Sequence, residues 1–148
     1  MVGPAFWIGF FQLAWAYERL GEVDLALEAL HHAEVSSGGN TKMISLRGYV
    51  LAKAGRPDQA EQVLRTLEAI SHERYVPPYA FALIHVGLGH HARALDWLQH
   101  AYNMRDVHVI WLPMDPKWDP LRDDPSFVRL LERCGFRDSS TATVTPSG

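Results

Sequence analysis

Four side chains that could ligate a metal ion fall close together in the first third of the chain: Glu28, His31, His32 and Glu34. On a helix, His31 would lie within one turn of both Glu28 and Glu34, and this spacing permits a two-point ligand set. The alternative, which we favour, is a solvated helix face. We therefore predict no metal site and no cofactor.

The familiar sequence motifs of catalysis are missing. The chain has no Gly-x-Ser-x-Gly elbow, no His-Glu-x-x-His pair and no phosphate-binding loop. The lone Cys134 falls on an apolar stripe and is interpreted as a buried small hydrophobe rather than as a nucleophile. We expect His85 to be packed and His90 and His91 to lie in a turn. The sequence thus predicts a protein that is not an enzyme.

Composition and charge narrow the possible partners. Hydrophobic residues make up 47% of the 148 residues and charged residues 21%, which is typical of a folded domain. The formal net charge is −3 and no two Lys or Arg residues are adjacent, so nucleic acid is not an expected partner. The apolar stretch 5–17 is shorter than the roughly 20 residues that span a bilayer. A single cysteine fits a reducing compartment, and we expect a cytoplasmic protein without a membrane segment.

The chain has an internal repeat of 34 residues, and the helices that would position the candidate residues follow this period. Gly21, Gly55 and Gly89 are spaced by this period. The same period relates an alanine five residues after each glycine and a leucine four residues after each alanine: Ala26, Ala60 and Ala94, then Leu30, Leu64 and Leu98. Apolar residues on either side of each glycine recur at i, i+3, i+4 and i+7, which predicts amphipathic helices.

Each repeat is therefore predicted to be a helical hairpin. The glycine ends the first helix, where a left-handed backbone conformation is needed and glycine adopts it at little cost. The alanine is small because the two helices of a hairpin approach closely at that level. We predict that Ala26→Leu or Ala94→Leu destabilises the protein by about 1 to 3 kcal/mol through overpacking at the helix crossing.

These residues resemble the tetratricopeptide repeat, whose first helix carries a small residue followed three positions later by an aromatic. Ala14 and Tyr17 meet this pattern in the first repeat, and Gly48 with Leu51 and Ala82 with His85 occupy it later. The resemblance covers residues 5–104. It implies an all-α fold, a right-handed superhelical array of about three helix-turn-helix repeats, and a protein or peptide partner.

The C-terminal part departs from the repeat. Prolines at every fourth or fifth position of segment 115–125 exclude a long helix there, and its aspartates are interpreted as turn and capping residues. Asp124 is predicted to cap a helix that begins at Pro125 and carries the apolar stripe Phe127, Leu130, Leu131 and Cys134.

The predicted organisation is one repeat domain at 1–136 and a flexible tail at 137–148. The repeats lie at about 5–38, 41–72 and 75–104, and a C-terminal cap at 106–136. The region from Tyr75 to Phe136 is similar to the C-terminal ends of bacterial multidomain regulators that carry tetratricopeptide arrays.

The resemblance implies a concave groove lined by the first helix of each hairpin. By register, the inward-facing positions are aromatic with a few cations: Phe11, Trp15, Arg19, Tyr49, Lys53, Tyr79 and Leu83. The family's Lys/Asn/Arg clamp for a C-terminal carboxylate is not met, so an extended or helical peptide with apolar side chains is expected instead. The alternative is that Trp15 and Tyr49 only pack on each other between repeats.

A second function is also consistent with the sequence. Phe6, Trp7 and Phe10 give the first helix more aromatic surface than one partner helix can cover. Either the chain is part of a longer array that covers this surface, or these residues predict self-association into a homodimer, as part of a larger bacterial regulator.

Overall fold

A computed structural model describes residues 6–135, with side chains described from Gly9 onward. The elements in this part of the chain are α1 (Phe6–Arg19), α2 (Val23–Ser36), α3 (Thr41–Lys53), α4 (Pro57–Ser71), α5 (Pro78–Gly87), α6 (His91–Asn103), the 3₁₀ helices η1 (Val107–Trp111) and η2 (Pro116–Leu121), and α7 (Pro125–Arg133). Between residues 6 and 135 no strand occurs. The predicted all-α array of helical hairpins is confirmed.

The repeated glycines end the first helix of each hairpin, as predicted. Gly21, Gly55 and Gly89 have φ values of 77°, 76° and 79°, in the left-handed region. At the first of these turns the backbone N–H of Glu22 donates to the carbonyl of Tyr17 at 2.9 Å and that of Gly21 to Glu18 at 3.1 Å. This hydrogen-bond pair is the Schellman motif, and the same pair recurs at Gly55 and Gly89.

The hairpins pack consecutively, so α1 contacts α2, α3 contacts α4 and α5 contacts α6. Neighbouring hairpins meet where α3 contacts α2 and where α5 contacts α3. The alanines at the helix crossings, Ala26, Ala60 and Ala94, have no exposed surface. Their burial agrees with the close helix approach that explains the small residue at each crossing.

The chain after α6 folds back onto the hairpins. Trp118, Leu121 and Phe127 are fully buried in the same apolar cluster as Ala14 of the first hairpin and Ala82 of the third. The predicted capping role of the aspartates is also observed, because Asp115 accepts from the backbone N–H of Lys117 and Asp124 from that of Ser126. Pro120 inside η2 limits that segment to a short 3₁₀ helix.

Some predictions fall beyond the described part of the chain. The first five residues and the tail at 137–148 lie outside the described residues, so the predicted domain boundaries remain predictions. Within the described part, no helix is both long and apolar enough to cross a membrane.

Candidate binding groove

Tyr79 of α5 holds the C-terminal segment against the first helices. Its hydroxyl accepts a hydrogen bond from Trp118 Nε1 at 2.8 Å, and the two rings meet edge to face at 5.2 Å. The other side of the Tyr79 ring is stacked with His108 at 5.5 Å. Its backbone N–H donates to Asp106 Oδ2 at 3.1 Å. Residues 106–118 are thereby fixed along the side of the array that carries α1 and α5.

Arg122 fixes the shape of the same segment. Its guanidinium donates to the backbone carbonyls of Leu112 at 3.0 Å and Asp115 at 2.8 Å, and to the carboxylate of Asp119 at 2.7 Å. These three bonds join η1, η2 and the loop between them. These bonds fix the conformation of residues 106–122, which we call the C-terminal wall.

A groove of about 970 Å³ lies between this wall and the first helices. The helices contribute from one side and the C-terminal segment from the other. The side chains that carry its apolar surface are Phe11, Trp15, Leu46, Tyr79, Leu83, Trp111 and Met114. The charged side chains that line it are Arg19, Lys42, Lys117 and Asp115.

Lys117 lies at the base of the groove and is only 7% exposed. Its Nζ lies 5.1 Å from the ring centroid of Trp15, 5.6 Å from that of Tyr49 and 3.7 Å from Asp115 Oδ1. An ammonium over two aromatic faces is stabilised by the ring quadrupoles, which offset part of its lost hydration. Burial lowers the pKa of Lys117, while Asp115 and Glu18 act against that shift.

The pKa values of the ionisable groups around the base of the groove are shifted in directions that match their surroundings. Burial raises the pKa of Tyr49 well above its usual range, and the nearby carboxylates of Glu18, Asp115 and Asp119 add to the shift. Burial opposes ionisation of Asp106, but hydrogen bonds from His108 and from the Tyr79 amide outweigh it, so the pKa of Asp106 is lowered. Asp106 is therefore an ionised acceptor that organises the start of the C-terminal wall.

Two further cations lie against aromatic rings that line the groove. The guanidinium of Arg19 lies 5.0 Å from the ring centroid of Trp15, and Lys42 Nζ lies 5.4 Å from that of Phe11. Among residues 6–135, neither cation has a carboxylate within ion-pair distance. Both charges are consequently available to an acidic group that enters the groove.

The structure brings together most of the residues predicted for the groove. Phe11, Trp15, Arg19, Tyr79 and Leu83 all line it. Trp15 is 37% exposed, so its ring is accessible and does not serve only to pack between repeats.

Tyr49 and Lys53 depart from the prediction. Tyr49 was predicted to line the groove, but it is only 5% exposed and does not line it, because Lys117 and η2 cover its ring. That expectation was wrong. Lys53 is exposed but does not line the groove.

Sequence reasoning missed the residues that the C-terminal segment contributes. Lys117, His108, Trp111 and Met114 were treated as part of a cap, yet they form one wall of the groove. The only available signal was the amphipathic mixture of Trp, Met and Lys inside a proline-spaced segment. The 34-residue period does not extend to this segment, so no register could assign it to a face.

The residues predicted for self-association are only partly described. The side chains of Phe6 and Trp7 lie outside the described residues. Phe10 stacks on His32 of α2, with ring centroids 5.1 Å apart. The Phe10 ring is therefore engaged within its own hairpin.

The candidate metal ligands do not form a cluster within the described part of the chain. His31 and His32 are exposed neighbours with ring centroids 6.1 Å apart. Across residues 6–135, no group of three or more His, Cys, Asp or Glu side chains is arranged to hold a metal ion.

Comparison with known proteins identifies two of the hairpins. Residues 10–32 and 45–66 match the family model of the tetratricopeptide repeat. The two matched ranges fall on α1–α2 and α3–α4, and α5–α6 lies beyond them. No curated protein and no solved structure matches the chain at a significant level.

Proposed function

Because the chain contains tetratricopeptide repeats, we propose that it is a protein-binding scaffold module whose groove holds a peptide segment of its partner. Tetratricopeptide repeats generally mediate protein–protein interactions and are not catalytic. The finer proposal concerns the site, which we assign to the groove between the first helices and the C-terminal wall.

The lining of the groove favours a segment that combines apolar and acidic side chains. Phe11, Trp15 and Leu83 offer an apolar surface, and aromatic side chains in pockets are frequent binding anchors. Three cations and one carboxylate line the same groove, and complementary charge favours an acidic partner. The resemblance to the C-terminal ends of bacterial regulators remains a prediction about where such a module acts.

The observation that carries this proposal is the environment of Trp15. Trp15 is 37% exposed, and the cations of Arg19 and Lys117 lie 5.0 and 5.1 Å from the centroid of its ring. A large, partly exposed aromatic surface beside two cations presents both an apolar contact and a positive field. An acidic residue next to a leucine or phenylalanine would satisfy both.

Trp15→Ala tests the proposal. We expect this variant to bind a short synthetic peptide that alternates leucine with glutamate about 30-fold more weakly, since truncating an anchor of this kind removes about 2 kcal/mol. Titration calorimetry measures binding, and a thermal melt checks that the variant remains folded. The matched control is Tyr75→Ala, which removes an aromatic that is 63% exposed outside the groove.

A second peptide that alternates leucine with lysine tests the charge preference. It should bind more weakly than the glutamate peptide, and the difference should shrink at high salt. Equal binding of both peptides would contradict the preference for acidic residues. If neither peptide binds the wild type, or if Trp15→Ala binds as tightly as wild type, the groove is not the peptide site.

A further inference from the structure

One side of α1 is apolar, and within the part of the chain that the structure describes no other helix covers it. Gly9, Leu13, Ala16 and Leu20 are spaced by four, three and four residues, so they form one stripe along the helix, which we call the α1 face. All four are exposed, Leu13 by 43% and Leu20 by 75%. None of the four is charged or polar. A contiguous apolar stripe of this kind marks an interaction surface more often than an isolated exposed leucine does.

The middle of the same side is buried where the array repeats it. Ala16 is equivalent to Val50 of α3 and Ile84 of α5, which are 2% and 0% exposed. Ile84 belongs to one apolar cluster with Val63 of α4, the second helix of the preceding hairpin. The α1 face is therefore the surface by which a hairpin of this protein receives a neighbouring helix.

The opposite end of the array is covered by the chain itself. Ala94 and Leu98 of α6 share a buried cluster with Leu112, Trp118 and Phe127 of the C-terminal segment. A second copy therefore finds no exposed end of that kind onto which it could stack its own α1. Between two copies, the α1 face of one can meet the same face of the other, which is the isologous arrangement of a twofold dimer.

The order of residues along the α1 face is self-complementary when two copies run antiparallel. About a twofold axis between positions 14 and 15, Leu13 lies opposite the partner's Ala16 and Gly9 lies opposite the partner's Leu20. Every large side chain then faces a small one, so each leucine fills the space that the alanine or glycine leaves. A parallel pair would instead place leucine against leucine and glycine against glycine.

We propose that two copies of this chain associate through their α1 faces, with the helices antiparallel. The contact is distinct from the peptide groove, because Leu13 and Leu20 do not line it. The prediction that the first helix mediates self-association thus moves from the side that carries Phe10 to the side that carries Leu13.

Sedimentation equilibrium of the whole chain tests the association. We expect wild type to be a dimer. Leu13→Glu should raise the dimer dissociation constant about 100-fold or more, because each of the two copies would bury one new carboxylate in the contact. The matched control is Val35→Glu, which places the same charge at a position of α2 that is 68% exposed and lies off the α1 face. The control should dimerise like wild type. A wild type that stays monomeric at its highest soluble concentration would overturn the proposal.

Cysteine pairing tests the antiparallel orientation, in a Cys134→Ser background. Gly9→Cys chains mixed with Leu20→Cys chains should form disulfide-linked dimers under mild oxidation. Gly9→Cys chains alone should not, because their two cysteines would lie about 16 Å apart along the helix axes at 1.5 Å per residue. Efficient linkage of Gly9→Cys with itself would indicate a parallel pair and overturn the orientation. Peptide binding by the Leu13→Glu monomer should be unchanged. A failure of the dimer proposal can therefore be distinguished from a failure of the proposed peptide groove.

Discussion

Tyr79 joins α5 to the C-terminal wall through its ring, its hydroxyl and its backbone. Its hydroxyl is the acceptor for Trp118 Nε1, and Trp118 has no exposed surface. Burial raises the pKa of Tyr79, and the Trp118 hydrogen bond partly opposes that shift. The hydroxyl therefore stays protonated, and its position rather than its ionisation is what the fold uses.

Tyr79→Phe should destabilise the protein by about 1 to 3 kcal/mol, because it leaves the buried Trp118 N–H without an acceptor. The free energy of unfolding from urea titration measures the effect. Tyr75→Phe removes a hydroxyl from a largely exposed ring and should leave the stability unchanged. Equal stability of both variants would mean that Trp118 finds another acceptor.

His85 gives the protein a dependence on pH. Its Nδ1 lies 3.3 Å from Nδ1 of His90, so the hydrogen bond requires one nitrogen to carry a proton and the other to lack it. Burial lowers the pKa of His85, His90 and Arg93 lower it further, and Glu61 acts in the opposite sense. Protonation of both rings would break this hydrogen bond at the end of α5.

Because the pKa of His85 is lower in the folded chain than its ordinary value of 6.5, the unfolded chain binds protons more readily as the pH falls. The stabilising contribution is therefore complete above pH 6.5 and decreases as the pH falls toward the folded pKa. His85→Leu introduces the residue that the second repeat has at this position, Leu51, and should weaken this dependence. Urea titrations on either side of pH 6.5 measure it, and an unchanged slope would exclude His85 as the source.

Residues show where sequence reasoning succeeded and where it stopped. The period assigned Trp15 and Tyr49 to the same side of their helices, and both do lie beside the groove base. It could not tell that Tyr49 is covered, because the covering residue, Lys117, lies outside the repeated part of the chain. Burial of a side chain depends on everything that packs over it, whereas a repeat register reports only the helix it belongs to.

At the scale of elements, the closeness of helices is set by small residues. A methyl group added at Gly48 of α3 would lie 2.6 Å from Ile84 Cδ1 and 3.0 Å from Val63 Cγ1, both in buried residues. Gly9 of α1 is also helical, but it has nothing within 4 Å of an added methyl. The two glycines therefore differ in packing and not in backbone conformation.

Gly48→Ala should destabilise the protein by about 1 to 3 kcal/mol through overpacking, despite the better helix propensity of alanine. Gly9→Ala, made in the monomeric Leu13→Glu background so that no second copy meets the new methyl, is the matched control and should raise the stability by up to about 1 kcal/mol. Thermal melts of both variants measure the difference. A stabilised Gly48→Ala would show that Ile84 can move aside without loss.

The elements were predictable to different degrees. The three hairpins follow from the 34-residue period, because each glycine and alanine has a fixed task at a helix end or a helix crossing. The helix at Pro125–Arg133 was also predicted, from the Asp124 cap and the apolar stripe. The 3₁₀ helices and their return to the first helices were not, since their placement depends on Tyr79 and Arg122 rather than on a local pattern.

For the whole molecule, one apolar cluster connects the start and the end of the described chain. Trp118 shares it with Ala14 of α1, Tyr49 of α3 and Ala82 of α5. The C-terminal wall is consequently part of the core and not an appendage. We expect the hairpins and the wall to unfold together.

Trp118→Ala should lower the stability of the whole chain by about 3 to 5 kcal/mol. Helix content by circular dichroism and the tertiary signal from the remaining tryptophans should decrease in one coincident transition. The opposite outcome is informative: hairpins that keep the wild-type midpoint after this change would show that the wall folds as a separate unit.

The groove has one wall near the beginning of the chain and the other near its end. Phe11 and Lys117 both line it, although about a hundred residues separate them. During synthesis Lys117 and Trp118 leave the ribosome after all three hairpins. A nascent chain that ends before them therefore lacks one side of the groove and part of the shared core. The peptide binding proposed for this groove accordingly requires a chain translated at least as far as Trp118.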